Sequence, residues 1–129
     1  MVTTYPRTLF AIDPGVSGGI AYRDNNGLCF AFPMPESERD IADQLRILAG
    51  DCPEFATAFV EDLPRFAGRM SASAMFAMAK NFGVILGILS ALKVRIELMP
   101  PQKWQKIIGG LGTRKEAGTE WKRKLKDRK

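Results

Sequence analysis

The order of apolar runs along the chain is the feature that most limits how it can fold. Short apolar runs typical of buried strands alternate with longer segments that show helical spacing. Strands are predicted at residues 8–12, 18–22, 28–32, 55–60 and 94–98, and helices at residues 37–48, 71–92 and 102–108. Three strands followed by helix–strand alternation predict a hairpin sheet that is extended by crossovers. We therefore expect an α/β fold with a mixed sheet of about five strands flanked by helices.

Turn and cap signals support these boundaries. The Asn26-Gly27 pair lies between two strand-like runs, and an Asn-Gly pair in that position is a strong hairpin signal. Serine is a preferred residue at the start of a helix because its hydroxyl accepts a hydrogen bond from a free backbone N–H. Ser37 therefore predicts the start of the first helix, and either Ser71 or Ser73 the start of the second.

The composition excludes several kinds of catalysis. The chain of 129 residues contains no histidine and two cysteines. Without histidine there is no Ser-His-Asp or Cys-His nucleophile, no His-ligated zinc and no imidazole acid–base catalysis. Cys29 and Cys52 cannot form a structural zinc site by themselves, and we expect them to be reduced. Catalysis is therefore expected from carboxylates, lysines, hydroxyls or a metal ion held by oxygen.

Charge is divided unevenly along the chain. Residues 1–92 carry seven basic and ten acidic side chains, whereas residues 93–129 carry twelve basic and four acidic ones. A basic segment after a mildly acidic body favours a polyanionic partner, nucleic acid ahead of an anionic membrane, although a solvated lysine-rich helix remains an equal alternative. The first residues lack a signal-peptide pattern, and the apolar run 84–92 is too short to span a bilayer. We therefore expect a soluble cytoplasmic protein without membrane contact.

Two carboxylates directly follow apolar strands. Asp13 comes after the run 8–12, and Glu61 comes after the run 55–60. Functional groups collect at the carboxyl ends of strands in α/β sheets, so neighbouring parallel strands would bring these acids together and favour a bound divalent cation. Asp13 also begins an Asp-Pro-Gly turn, so a purely structural role for Asp13 and a surface-loop position for Glu61 remain open.

The residues around these acids resemble one family of nucleases. Residues 9–21 (LFAIDPGVSGGIA) look like the opening strand and turn of RuvC-type Holliday-junction resolvases, within the RNase H-like superfamily. Three further segments are similar to that family: 58–61 to its second acidic strand, 77–87 to its long central helix, and 99–106 to the segment that follows, with a likeness to the phage and prophage branch. The resemblance implies a single RNase H-like domain over residues 1–129 in a bacterial or phage-infected cell. It also implies a structure-selective endonuclease that resolves four-way DNA junctions in recombination, repair or phage DNA processing.

The resemblance further implies a two-metal site. Asp13 and Glu61 would be its first two catalytic acids, with Asp62 as a less favoured substitute for Glu61. Such carboxylates hold two Mg²⁺ or Mn²⁺ ions about 4 Å apart, which activate water and stabilise the leaving 3′ oxygen. The family's third and fourth acids come from a last helix, and this chain ends at Lys129 before a matching segment. We therefore expect a C-terminally truncated domain with weaker metal binding and reduced or absent cleavage. The alternative is a non-catalytic protein that binds branched DNA.

The candidates for contact with DNA are basic or aromatic. They comprise Lys103, Lys106, Arg114, Lys115, Lys122, Arg65, Arg69 and Phe66. Basic side chains contact phosphates and position DNA without reading its sequence, and several of these candidates belong to a basic tail at 113–129. The aromatic ring of Phe66 would stack on an unpaired base, or would instead fill a gap against the following helix.

The predicted helix 71–92 is apolar over more than one face. A monomer buries one face of such a helix in its own core, so the surplus favours a second contact surface. Members of the resembled family dimerise through this region, and a two-fold homodimer suits a four-way junction that is cut symmetrically. A fully buried central helix is the alternative.

Overall fold

The computed structural model describes residues 7–63 and 70–108 of the chain. The chain divides into two compact units between Met99 and Pro100. The described elements of the first unit are, in order, β1 (Leu9–Asp13), β2 (Gly19–Arg23), β3 (Cys29–Pro33), α1 (Glu38–Ala49), β4 (Thr57–Glu61), α2 (Ala72–Ala91) and β5 (Arg95–Met99), with a 3-10 turn at Pro53–Phe55 before β4. The second unit contains α3 (Pro101–Ile108). The predicted basic tail 113–129 lies outside the described residues.

The described strands form one mixed sheet in the order β3-β2-β1-β4-β5. The pairs β1–β2 and β2–β3 are antiparallel, whereas β1–β4 and β4–β5 are parallel. This arrangement confirms the predicted α/β fold with a mixed five-stranded sheet. The predicted hairpin is also confirmed: Gly27 has φ 84°, a backbone conformation that glycine adopts without steric cost. The Asp24 carboxylate closes the turn by accepting the N–H groups of Asn26 and Leu28 at 2.8 and 2.9 Å.

Serine hydroxyls cap the start of both helices of the first unit. The hydroxyl of Ser37 accepts the N–H of Asp40 at 3.1 Å and donates to the Asp40 carboxylate at 2.6 Å. Of the two candidates for the start of α2, the structure uses Ser71, whose hydroxyl accepts the N–H of Ala74 at 3.2 Å. The prediction of Ser37 as the start of α1 is therefore confirmed. For α2 two serines were candidates from the sequence, and Ser71 is the one that caps the helix.

Both helices pack on the same face of the sheet. The buried core comes from β1, β2 and β4 together with one stripe of each helix, and it includes Phe10, Ile12, Ile20, Ala58, Val60, Ile41, Leu45, Ile85 and Leu89. On the opposite face, Ala11 pairs with Ala21 and Ala21 pairs with Ala31, and all three are exposed. The sheet therefore has one face covered by helices and one face that presents a row of methyl groups across β1, β2 and β3.

The long helix α2 is only partly buried. Ile85 and Leu89 are fully buried, whereas Met75 and Phe76 are 42% and 71% exposed. A fully buried central helix is therefore the wrong interpretation of its apolar composition. Among the helices of the described ranges, α2 is the one that is long and apolar enough to cross a membrane by length and composition alone. Because Ile85 and Leu89 belong to the core of the first unit, we describe α2 as a helix of the folded domain.

Candidate active site

The structure brings Asp13 and Glu61 together at the carboxyl edge of the sheet. Ile12 of β1 pairs with Val60 of β4 in the parallel register, and each acid is the next residue on its strand. Side chains alternate along a strand, so both acids lie on the face that carries the alanine row, on strands about 4.8 Å apart. Asp13 is exposed and Glu61 is half-buried. The two predicted acids are therefore neighbours that solvent and a ligand can reach.

The turn after β1 fixes the carboxylate of Asp13. Its Oδ1 atom accepts the N–H of Gly15 at 3.0 Å, and the N–H of Gly18 donates to the carbonyl oxygen of Gly15 at 2.9 Å. A Cβ atom at Gly18 would overlap the carbonyl oxygen of Asp13 and lie 2.9 Å from its Cγ. Glycine at 18 therefore lets the chain fold back closely over Asp13. A structural role of Asp13 in the turn is compatible with a role in binding a metal ion, because the hydrogen bond of the turn uses one oxygen of the carboxylate.

A residue that the sequence did not single out joins this turn to α2. Asn81 is half-buried, and its Nδ2 atom donates to the carbonyl oxygen of Pro14 at 2.6 Å. The neighbouring Lys80 forms an ion pair with Glu38 of α1 at 3.1 Å, and both side chains are more than half exposed. The backbone hydrogen bond of Glu38 and, after it, Lys80 lower the pKa of the Glu38 carboxyl below its usual value. One feature of the sequence could have drawn attention to Asn81: the polar pair Lys80-Asn81 interrupts an otherwise apolar helix.

Asp62 follows Glu61 directly, one residue beyond the end of β4. Its backbone N–H donates to the carbonyl oxygen of Met99 at 3.0 Å, which continues the pairing of β4 with β5. If the alternation of β4 continues by one residue, the side chain of Asp62 points away from the face that carries Glu61. Within residues 7–63 and 70–108, no group of three or more acidic, cysteine or histidine side chains is placed to hold a metal ion. The site described here therefore consists of two carboxylates, Asp13 and Glu61.

Of the predicted DNA-contacting residues, the structure describes two. Lys103 and Lys106 are exposed on α3, and their spacing of three residues places them on one face of that helix. The other candidates lie outside the described residues, namely Arg65, Phe66, Arg69, Arg114, Lys115 and Lys122. A basic face on α3 is what a phosphate-contacting helix requires.

Comparisons with known proteins identify the fold. No family model matches the chain, and no curated protein matches its sequence. Among solved structures, the chain is similar to T. thermophilus RuvC in complex with Holliday junction substrate, with a TM-score of 0.53 and 15% sequence identity over 74% of this chain and 66% of that chain. A second structure of Thermus thermophilus RuvC matches with a TM-score of 0.44 and 14% identity over 73% of this chain and 64% of that chain, a score too low to support a shared fold by itself.

The first of these similarities is one of fold, and it agrees with the predicted α/β class, a mixed sheet flanked by helices. The matched region spans just under two thirds of the RuvC chain, at 66%. At 15% identity, this likeness establishes the architecture, so activity and substrate are argued below from the site.

Proposed function

We propose that this chain is a junction-resolving endonuclease that binds four-way DNA and hydrolyses its phosphodiester backbone at Asp13 and Glu61. One observation carries the proposal: adjacent parallel strands of an RNase H-like sheet end in two carboxylates on the same face. The fold similarity to a RuvC structure that contains a Holliday junction supports the choice of substrate. A junction-resolving role also agrees with the excess of basic residues over positions 93–129.

The chemistry of the two side chains fits Mg²⁺ or Mn²⁺. Both ions prefer oxygen ligands, and Mg²⁺ sites combine one or two protein carboxylates with waters and substrate phosphate oxygens. When bound, such ions activate water and neutralise charge on the phosphate. The chain itself contributes an Asp13 carboxylate oriented by the Gly15 N–H and a half-buried Glu61 on the neighbouring strand. This chemistry requires no histidine, in agreement with the composition.

Nicking of a synthetic four-way junction tests the proposal. The protein is incubated with the junction and with a linear duplex of the same arm sequence, with Mg²⁺, with Mn²⁺ and with EDTA. We expect nicks in the junction alone, and only when a divalent ion is present. A chain that neither binds nor nicks the junction would overturn the proposal.

Junction binding without cleavage is the second candidate function. The number of ligands favours it: among the described residues, two carboxylates lie on neighbouring strands and no group of three or more candidate ligands occurs, whereas the family resemblance implies four. The same assay distinguishes the two functions. A band shift on the junction without nicking in either metal ion supports the binding protein, and metal-dependent nicking supports the nuclease.

Binding to the junction should depend steeply on salt, and Lys103 and Lys106 should account for part of that dependence. Each phosphate contact adds about 0.9 to the slope of log affinity against log salt. We expect Lys103→Gln with Lys106→Gln to reduce the slope by about two. Lys93→Gln is the matched control, since exposed Lys93 precedes β5 at the sheet edge opposite the acids. Fluorescence anisotropy over a salt series measures all three slopes. A flat response of the wild type would contradict the electrostatic argument.

We also propose that α2 is the contact surface of a homodimer. Its outer face is apolar, with Phe76 71% exposed. Gly83 and Gly87 are four residues apart on the same helix, and a Cβ atom at either position would meet open space. Glycine inside a helix costs about 1 kcal/mol relative to alanine, and packing among the residues that the structure describes does not require either glycine. A partner helix that approaches this face closely would account for both.

Replacing Phe76 by glutamate should separate the dimer without unfolding the subunit. An exposed aromatic residue at the centre of an interface contributes strongly to affinity, so we expect the dimer Kd to rise by about tenfold or more. Ile47→Glu is the matched control, because Ile47 is similarly exposed, at 69%, on the other helix α1. Sedimentation velocity over a concentration series measures the effect. A wild-type chain that remains monomeric at the highest concentration, or an equal effect of Ile47→Glu, would exclude α2 as the interface.

A further inference from the structure

A single peptide group connects α2 to the carboxylate of Asp13. The carbonyl oxygen of Pro14 accepts a hydrogen bond from Asn81 at 2.6 Å, and the N–H of Gly15 donates to Oδ1 of Asp13 at 3.0 Å. This carbonyl and this N–H belong to the same peptide bond, between Pro14 and Gly15. Because the peptide group is planar and rigid, its orientation is fixed at both ends, by Asn81 on one side and by Asp13 on the other.

We infer that Asn81 is a positioning residue, which holds the Pro14–Gly15 peptide so that its N–H orients the Asp13 carboxylate. Rotation of this peptide would break both hydrogen bonds together, so losing the bond from Asn81 also loosens the bond to Asp13. Two hydrogen bonds through one peptide group also polarise each other, which strengthens both. Any importance of Asn81 for metal binding rests on the proposed function, whereas its effect on the turn does not.

The surroundings of Asn81 make this contact a link between distant parts of the first unit. Asn81 is 67 residues from Pro14 in sequence, and it lies between the exposed start of α2 and the buried residues Ile85 and Leu89. Pro14 is buried and Asn81 is half-buried, so the bond is partly shielded from competition with solvent. A displacement of α2 at this level is therefore transmitted to the turn that carries Asp13.

The neighbouring ion pair supplies a contrast. Among the described residues, the ion pair of Lys80 leads from α2 to Glu38 of α1 and not to the turn, and exposed ion pairs contribute little to stability. Lys80→Gln therefore perturbs α2 next to Asn81 without acting on the Pro14–Gly15 peptide. A cavity of about 300 Å³, lined in part by Asn81, Ala77 and Val84, leaves room for a larger side chain at position 81.

Three substitutions at position 81 test the inference. Asn81→Asp keeps the shape but replaces the donor with an acceptor, Asn81→Ala removes the side chain, and Asn81→His restores an N–H donor at similar reach. The first readout is amide hydrogen exchange of Gly15 and Gly18, measured by NMR without metal. We expect exchange to be about five- to tenfold faster in Asn81→Asp and Asn81→Ala, and close to wild type in Asn81→His and Lys80→Gln.

The second readout is the affinity for Mn²⁺ measured by calorimetry, which should fall by a similar factor in Asn81→Asp and recover in Asn81→His. Unchanged exchange at Gly15 and Gly18 in Asn81→Asp would overturn the inference, as would equal acceleration in Lys80→Gln. If the wild type binds no Mn²⁺, the proposed metal site fails, and the exchange rates alone decide the role of Asn81. The failure of one proposal is therefore distinguishable from the failure of the other.

Discussion

Replacing Asp13 by asparagine should abolish metal-dependent nicking of a four-way junction while the fold remains intact. We expect the nicking rate to fall by about 10²- to 10³-fold, the usual loss when one polar group of a preorganised site is removed. The substitution removes the negative charge that attracts a divalent ion, but it preserves the turn after β1. The side-chain carbonyl of asparagine accepts the N–H of Gly15 as Oδ1 of Asp13 does, and asparagine is equally suited to such turns.

Two further variants define the site. Glu61→Gln should reproduce the loss, because Glu61 is the second carboxylate on the same face. Asp62→Asn is the matched control: it removes a charge one residue away, where strand alternation predicts the opposite face, and keeps the backbone bond to Met99. We expect Asp62→Asn to retain most of the wild-type rate. Full activity of Asp13→Asn, or an equal loss in Asp62→Asn, would contradict the assignment.

The same variants remain informative if the wild type binds junctions without cutting them. In that case Asp13→Asn and Glu61→Gln should lose Mn²⁺ affinity, measured by calorimetry, while their affinity for the junction is preserved. Circular dichroism melting without metal checks the fold. The wild type should gain thermal stability on addition of Mn²⁺, because an ion that binds only the native state stabilises it, and the two variants should not.

Replacing Gly18 by alanine should have the second large effect, on both stability and metal binding. The added Cβ would overlap the carbonyl oxygen of Asp13 and approach its Cγ to 2.9 Å. The carbonyl oxygen belongs to the backbone of the last residue of β1, so it cannot move away without displacing the end of that strand. We expect a loss of about 2 kcal/mol or more in the free energy of unfolding, together with a loss of Mn²⁺ affinity.

Gly83→Ala is the matched control, since it makes the same substitution where a Cβ meets open space within α2. At a concentration where the chain is monomeric, we expect it to raise the free energy of unfolding by up to about 1 kcal/mol. Urea denaturation of both variants measures the two changes, which should have opposite signs. A Gly18→Ala protein with wild-type stability and metal affinity would show that the turn does not constrain Asp13.

Much of the fold was predictable because its signals are local. The Asn26-Gly27 pair determines a hairpin through backbone conformation alone, and Ser37 begins α1 through its own hydroxyl. Placing Asp13 beside Glu61 required one further step, that strands β1 and β4 are parallel neighbours. The sequence left that step as a condition, because the crossover helix α1 connects β3 to β4, whereas β4 pairs with β1.

The remaining features depend on contacts that local sequence does not specify. The hydrogen bond from Asn81 to Pro14 joins residues 67 positions apart. The sequence around either residue therefore does not predict the contact. The apolar composition of α2 could not distinguish complete burial of the helix from the observed exposure of Phe76. Hydropathy does not specify which other elements pack against each face of a helix. Lys93 adopts a positive φ of 63° after α2, in a position where glycine or asparagine is expected.

The parallel pairing of β1 with β4 has a kinetic consequence. Leu9 pairs with Thr57, 48 positions later in the chain, and contacts over such separations form slowly because loop closure costs entropy before the contact contributes. The β1–β2–β3 meander joins neighbouring segments instead, so we expect it to form first, while Glu61 is still distant from Asp13. A chain that has folded only this far offers a divalent ion one carboxylate of the pair. In a refolding experiment, the moment at which Mn²⁺ affinity appears should therefore mark the closure of the sheet.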